Sequence, residues 1–238
     1  MDDRLERIGV ITDAHANLPA TMAALAAMDD VGCDLIIHTG DAIGIGPHPR
    51  EVLDLLLSRP DVLCLMGNHD EWFAFDLLGT DSVNLDAGEM AHQKWTHAQL
   101  PESWRARVAQ WPYTHEAIVG DSTIRFTHYA RANDAFALIA VNGDPVELDN
   151  LFQPEQDFVF FGHHHPRCDV QGRARYINPG ALGTNPGEGA RFALITNRQD
   201  GVEVSLHAVE YDVTSVREGL VSRDVPEAEF ILDVFLGG

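Results

Sequence analysis

Residues 7–28 read RIGVITDAHANLPATMAALAAM, and this stretch decides the fold. A short apolar strand, Arg7 to Thr12, breaks off at Asp13-Ala14-His15, and an Ala/Leu-rich segment with helical character runs from Leu18 to Met28. Between them, Asn17-Leu18-Pro19 supplies a cap residue followed by proline in the first turn. The unit then repeats. Asp34 to Thr39 is a second strand ending at Gly40-Asp41, and Pro49 to Ser58 carries Val52, Leu53, Leu56 and Leu57 at helical spacing. Val62 to Met66 is a third strand, stopped by Gly67. Strands alternating with helices in units of about 25–30 residues predict a parallel sheet with right-handed crossovers. Ligands in such sheets collect beyond the carboxyl ends of the strands.

Seven side chains that bind divalent metals through nitrogen or oxygen sit where apolar runs stop. They are Asp13 and His15, Asp41, Asn68 in GNHD, His128 in RFTH, and His163 and His165 in FFGHHH. One such residue reads as a cap or a turn former. Capping does not require paired histidines at H-x-H spacing, so the seven together point to a metal site along one sheet edge.

The second half reads as strands at Thr123 to Thr127, Phe158 to Phe161, Arg175 to Ile177, Phe192 to Thr196 and Val202 to Val209, with a helix near Thr214 to Val221. Residues 71–112 change to a helical pattern bearing Trp72, Phe73, Phe75, Trp95, Trp104 and Trp111, and they follow GNHD directly. They form either a helical pair on the domain edge or a lid over the site. Asp13 and His165 serve one site from distant parts of the chain, which predicts a single domain over 1–238.

The formal net charge of -21 argues against phosphate backbones of long nucleic acid and against anionic membranes, because no basic run relieves the repulsion. A phosphorylated substrate therefore needs a local positive charge, which bound metal would supply. Cys33, Cys64 and Cys168 show neither a disulfide framework nor thiolate zinc spacing. The apolar run after the charged N-terminus is too short for a signal segment, and no stretch approaches the roughly 18 residues of a membrane span. A cytoplasmic location is expected.

The ordered blocks Asp13-x-His15, Gly40-Asp41, Gly67-Asn68-His69-Asp70, His128 and Gly162-His163-x-His165 resemble the calcineurin-like metallophosphoesterases. The loop Gly40 to Val52 and the turn Ile177 to Gly183 resemble a bacterial and archaeal subgroup of small members. The resemblance implies an α/β fold, a two-layered β-sandwich flanked by helices (α/β/β/α), and two divalent metal ions. Mixed imidazole, carboxylate and amide ligands suit Mn, with Fe, Zn or Ni as alternatives. Carried over position by position, Asp13, His15 and His165 would hold one metal, Asn68, His128 and His163 the other, and Asp41 would bridge them. His69 would face the substrate and protonate the leaving group, with Asp70 as a candidate partner. Asn17, Asn68 and His69 are the candidate substrate contacts.

The implied activity is hydrolysis of a small phosphorylated molecule, a phosphodiester first, by in-line attack of a metal-bridging hydroxide. A phosphomonoesterase acting on protein or nucleotide, a dinucleotide pyrophosphohydrolase and a non-catalytic interaction scaffold are the alternatives, and homo-oligomerisation is left open. Three departures from the family pattern bear on the pocket: Ala16 where glycine is common, Tyr129 after His128, and the extra His164. His164 would face away from His163 and His165 if the segment were extended. His48 and Arg131 could touch substrate or simply be solvated, and His38 reads as a partly buried, hydrogen-bonded residue.

Overall fold

The structure is a computed structural model that describes residues 6–81, 83–132, 135–137, 143–185 and 189–237. The chain opens with β1 (Arg7–Ile11), α1 (Leu18–Asp30), β2 (Leu35–His38), α2 (Pro49–Ser58) and β3 (Val62–Cys64). The helical stretch contains α3 (Asn68–Ala74), α4 (Ala87–Ala98), a 3-10 turn at Glu102–Trp104 and α5 (Arg105–Val108). Strands β4 (Thr114–Val119), β5 (Ser122–Thr127), β6 (Arg131–Ala132) and β7 (Ala135–Phe136) follow, then α6 (Pro145–Phe152). The remainder is β8 (Phe158–Phe160), β9 (Cys168–Gln171), β10 (Arg175–Asn178), β11 (Ala190–Arg198), β12 (Gly201–Val209), α7 (Val213–Ser222) and α8 (Ala228–Phe235).

These strands build two mixed sheets. One has the order β12-β11-β1-β2-β3, in which β1, β2 and β3 are parallel and β11 runs antiparallel to β1. The other has the order β4-β5-β8-β10-β9, with β5, β8 and β10 parallel. Period-two alternation sends Ile8, Val10 and Ile37 of the first sheet, and Ile124, Phe126, Phe160 and Ile177 of the second, into one core between the sheets. The opposite faces take helices. Ile11 and Ile36 pack under Ala24, Met28 and Val52, whereas Val159, Phe161 and Tyr176 pack under Leu148 and Phe152 of α6. Burial on both faces explains why the central strands read as unbroken apolar runs. The α/β/β/α layering is therefore present.

Six elements have no counterpart in the sequence reading: β4, β6, β7, α6, β9 and α8. Strand β4 (THEAIV) alternates exposed and half-buried positions at a sheet edge, so its apolar signal is weak. The helical segment also begins earlier than its aromatic pattern suggests, because α3 starts at Asn68 itself. No helix among the described residues is long and apolar enough to cross a membrane.

Candidate metal centre

All seven expected ligands lie just past the carboxyl ends of the parallel strands β1, β2, β3, β5 and β8. Backbone bonds zip the loops together: Asp13 N–H donates to Gly40 O (3.0 Å), His15 N–H to Asp41 O (3.0 Å) and Gly162 N–H to His128 O (2.8 Å). The turn after β10 closes the ring, with Leu182 N–H on Thr12 O (2.9 Å), Gly183 N–H on Asp13 O (3.0 Å) and Ala181 N–H on His165 O (2.7 Å). This gives Ile177 to Gly183 a physical role: it bolts the β1 loop to the β8 loop.

The geometry is strained where the ligands sit. Asp13, His15, Asp41, His163 and His165 all have φ between 44° and 64°. Such left-handed backbone costs a non-glycine residue roughly 1–2 kcal/mol and persists only where surrounding contacts enforce it. His163 and His165 are thus not on an extended strand, and His164 is half-buried beside them, outside the ligand groups.

Three groups of side chains converge: Asp13 with His15 and His165, Asp41 with His128 and His163, and His15 with Asp41 and His69. His15 Nε2 lies 2.9 Å from His165 Nε2 and 3.6 Å from an Asp13 oxygen. His128 Nε2 lies 3.2 Å from Asn68 Oδ1, 3.2 Å from His163 Nδ1 and 3.3 Å from Asp41 Oδ2. The outer nitrogens are already engaged: His15 Nδ1 faces Ile43 O (3.3 Å), His128 Nδ1 faces Thr39 O (3.0 Å) and His165 Nδ1 faces Thr184 Oγ1 (3.1 Å). The two carbonyls can only accept, so they fix a proton on Nδ1 of His15 and of His128 and leave Nε2, bare in the neutral ring, as the inward atom. Ligand atoms about 2.1 Å from one ion and at right angles sit roughly 3 Å apart, so this donor set fits divalent cations.

Charge follows burial. Burial raises the Asp13 carboxyl and drives His15 well below the usual imidazole range. Burial would raise Asp41 too, but His128 and His69 hold it well below the carboxylate range. Burial lowers His128, yet the Asp41 charge outweighs this and lifts it to about 9. Burial takes His163 down to about 3.

Several expectations change. Asp70 does not partner His69: its carboxylate accepts from the backbone N–H of Asp41 (2.8 Å), Ala42 (3.1 Å) and Gly67 (3.1 Å). Burial and the Asp41 charge raise it to about 7. The partner of His69 is instead Gln93 of α4, whose Nε2 is 2.8 Å from His69 Nδ1, with Trp72 packed on the ring at 4.7 Å between centroids. Gln93 occupies an ordinary amphipathic helix position, and no sequence signal marks it.

Asn17, expected at the substrate, is buried. It caps α1 by accepting from Ala20 N–H (3.1 Å) and donates to Gly183 O (2.9 Å), which places it under the turn. Tyr129 packs edge-on against Phe152 and beside His163, so it braces His163. His48 is buried at the start of α2, against the position of Gly219 in α7. His38 is fully buried, with its Nδ1 accepting from Gly40 N–H. Arg131 is tied to Glu71 (3.1 Å) and covers the Tyr113 ring at 3.8 Å. Ala16 does adopt the positive φ (51°) that glycine would take without strain.

Residues 7–200 match the model of the calcineurin-like phosphoesterase superfamily domain, and the chain belongs to that family. An uncharacterized protein of Methanocaldococcus jannaschii is 27% identical over 92% of this chain and 94% of its own length. The crystal structure of a metallophosphoesterase from Sphaerobacter thermophilus superposes with a TM-score of 0.70 and 25% identity, covering 98% of this chain and 100% of that one. A hypothetical protein from Pyrococcus horikoshii shares the fold with a TM-score of 0.82, 21% identity and 98% coverage of both chains.

Proposed function

We propose that the protein is a dinuclear metal-dependent phosphoesterase acting on a small phosphorylated molecule, preferentially a phosphodiester. The observation that carries this is the convergence of two neighbouring donor groups, Asp13 with His15 and His165 and Asp41 with His128 and His163, in which His15 Nε2 and His165 Nε2 stand 2.9 Å apart beside Asp13. A cation between them would take both nitrogens together with the Asp13 oxygen, whereas an N–H···N bond between two neutral rings would leave that carboxylate aside. Asp13, His15 and His165 would hold one cation, and Asn68, His128 and His163 the second, with Asp41 shared between them. Divalent cations there would activate water and neutralise the phosphoryl oxygens, and Mn, Fe, Zn or Ni suit the mixed donors.

The chain's own residues supply the remaining chemistry. Gln93 Nε2 donates to His69 Nδ1, which leaves the His69 proton on Nε2, the nitrogen 3.9 Å from Asp41 Oδ2. A neutral imidazole in that form can donate to the leaving-group oxygen. Helix α4 would then belong to the working site, and the segment 71–112 would act as its rim or lid. Among the described residues lining the adjoining cavity none is Lys or Arg, which favours a substrate with one phosphate over a dinucleotide polyphosphate.

The direct test is nitrophenol release from mono- and bis-nitrophenyl phosphate by chelator-stripped protein reloaded with Mn²⁺. Metal-dependent release is expected, faster for the diester, and Asp41→Asn is expected to abolish it while reducing bound metal at both positions. Full turnover by Asp41→Asn, or by protein proved free of metal, would remove the dinuclear reading.

A further inference from the structure

A cavity of about 520 Å³ opens on the ligand cluster, and its lining is one-sided in chemistry. Trp72 of α3 and Phe230 and Phe235 of α8 give it aromatic walls. Two of these rings begin where the ligands end: Trp72 packs on His69 at 4.7 Å, and Phe235 lies 5.8 Å from the His165 ring. Phe230 meets Phe235 edge-on at 6.2 Å and is itself 54% exposed at the mouth.

Above this floor the charged side chains are all carboxylates, and the other polar residues are His92 and Gln93. Asp86, Glu89 and Glu227 contribute carboxylates, with no Lys or Arg among the described lining residues. Asp86 and Glu89 cap α4 reciprocally through Asp86 Oδ1 (2.9 Å) and Glu89 Oε2 (3.0 Å), which leaves one oxygen of each for another donor. The Glu227 carboxyl lies against Gly88, where a Cβ would come within 2.7 Å of it, so the glycine makes room for a third carboxylate on the same turn. Gln93 lines the same cavity, is only 3% exposed, and keeps its Oε1 buried without a hydrogen-bond partner. Buried acceptors left unpaired are uncommon, and positive charge in the cavity beside this one would offset the deficit.

We propose that this cavity is a subsite for an organic ammonium group carried by the substrate's ester portion. The rings of Trp72, Phe230 and Phe235 would face the cation, and the carboxylates of Glu89 and Glu227 would neutralise it. The inference rests on the phosphoesterase reading for the chemistry at the cavity floor. It also accounts for how a chain of net charge -21 admits a phosphate ester: a zwitterionic substrate meets acceptors at its cationic end and metal at its anionic end.

Binding is tested first on metal-free protein, by calorimetry and tryptophan fluorescence, with choline against its uncharged isostere 3,3-dimethylbutan-1-ol. Choline is expected to bind on the order of tenfold more tightly, as a cation–π contact and an ion pair would give. The preference should weaken with salt and vanish in the Glu89→Gln/Glu227→Gln variant. Glutamine still serves in a capping box, so helix α4 is retained in that variant. Equal binding of the two alcohols, or no binding of either, overturns the subsite. Turnover then separates this inference from the one beneath it. Nitrophenyl phosphorylcholine is expected to show a KM about tenfold below that of methyl nitrophenyl phosphate, by the same contacts. Equal KM values would leave the phosphoesterase standing and remove the subsite. Choline binding with neither ester hydrolysed would do the reverse.

Discussion

A residue's φ angle is the strongest local sign that this site was built for something other than stability. Asp13, His15, Asp41, His163 and His165 all hold left-handed backbone, and close approach by Gly162, Gly46 and Gly67 makes room for Asp13, His15 and Asp41. A Cβ on Gly67 would overlap the backbone nitrogen and carboxylate of Asp41. Gly67→Ala is therefore expected to displace Asp41, lowering metal content and destabilising the fold by roughly 1–3 kcal/mol, the range for overpacking. Wild-type metal content and melting in that variant would show that the approach is not needed. His69 makes a sharper case, because it touches the reacting region without belonging to either expected ligand set. His69→Ala is expected to lower turnover by about 10²–10⁴-fold, the usual range for a general acid, while metal content stays near wild type. Gln93→Leu should share that signature more weakly. Its loss should be larger for an alkyl ester than for nitrophenol, which leaves without help. Loss of metal on changing His69 would make it a ligand instead.

At the scale of elements, α4 shows both what the chain discloses and what it conceals. The loop residues after β1, β2, β3, β5 and β8 are readable because chemistry-bearing side chains interrupt apolar runs, and a parallel sheet has one place to gather them. Gln93 is invisible by the same logic, since a glutamine on an amphipathic helix acquires its meaning only when α4 packs over α3. Adjacency in sequence makes Asp70 a candidate partner for His69, yet helical geometry turns neighbouring side chains apart, and Asp70 faces the backbone of the β2 loop instead. Edge strand β4 alternates only weakly, and α6 and α8 are 8 residues each, too short for a periodic pattern to stand out. Helix α4 also makes stability depend on pH. His92 is buried with its ring against Pro226 O (3.2 Å), and burial lowers it to about 4 from an ordinary value of 6.5. The unfolded chain takes up that proton near pH 6.5, while the fold refuses it until about 4. The stabilisation is thus complete above 6.5 and disappears as pH falls toward 4. His92→Phe is expected to shrink the stability lost between pH 7 and pH 5 by on the order of 2 kcal/mol, read from urea unfolding at the two pH values. An unchanged loss would mean that His92 titrates normally.

For the whole molecule, acidity and the buried ligand cluster are two sides of one electrostatic arrangement. Net charge of -21 repels itself in the compact state, and the buried Asp13 and Asp41 add to that load at the junction of the two sheets. Cations bound among them would tie together loops from five strands, so metal should stabilise the entire fold rather than one loop. A site filled at a hundred times its Kd contributes about 2.7 kcal/mol, and a chain of this size gains about 2–4 °C of Tm per kcal/mol. Reloading stripped protein with Mn²⁺ is therefore expected to raise Tm by roughly 5–10 °C per site filled. Simple screening of the surface charge would also raise Tm, but it depends on ionic strength alone. Mg²⁺ at matched ionic strength supplies the comparison, because its demand for oxygen donors suits neither histidine-rich group. Asp41→Asn should retain the screening part and lose most of the Mn²⁺-specific part. Equal shifts from the two ions in wild type would place the whole effect on the surface, and the strained loops would then need an explanation other than metal.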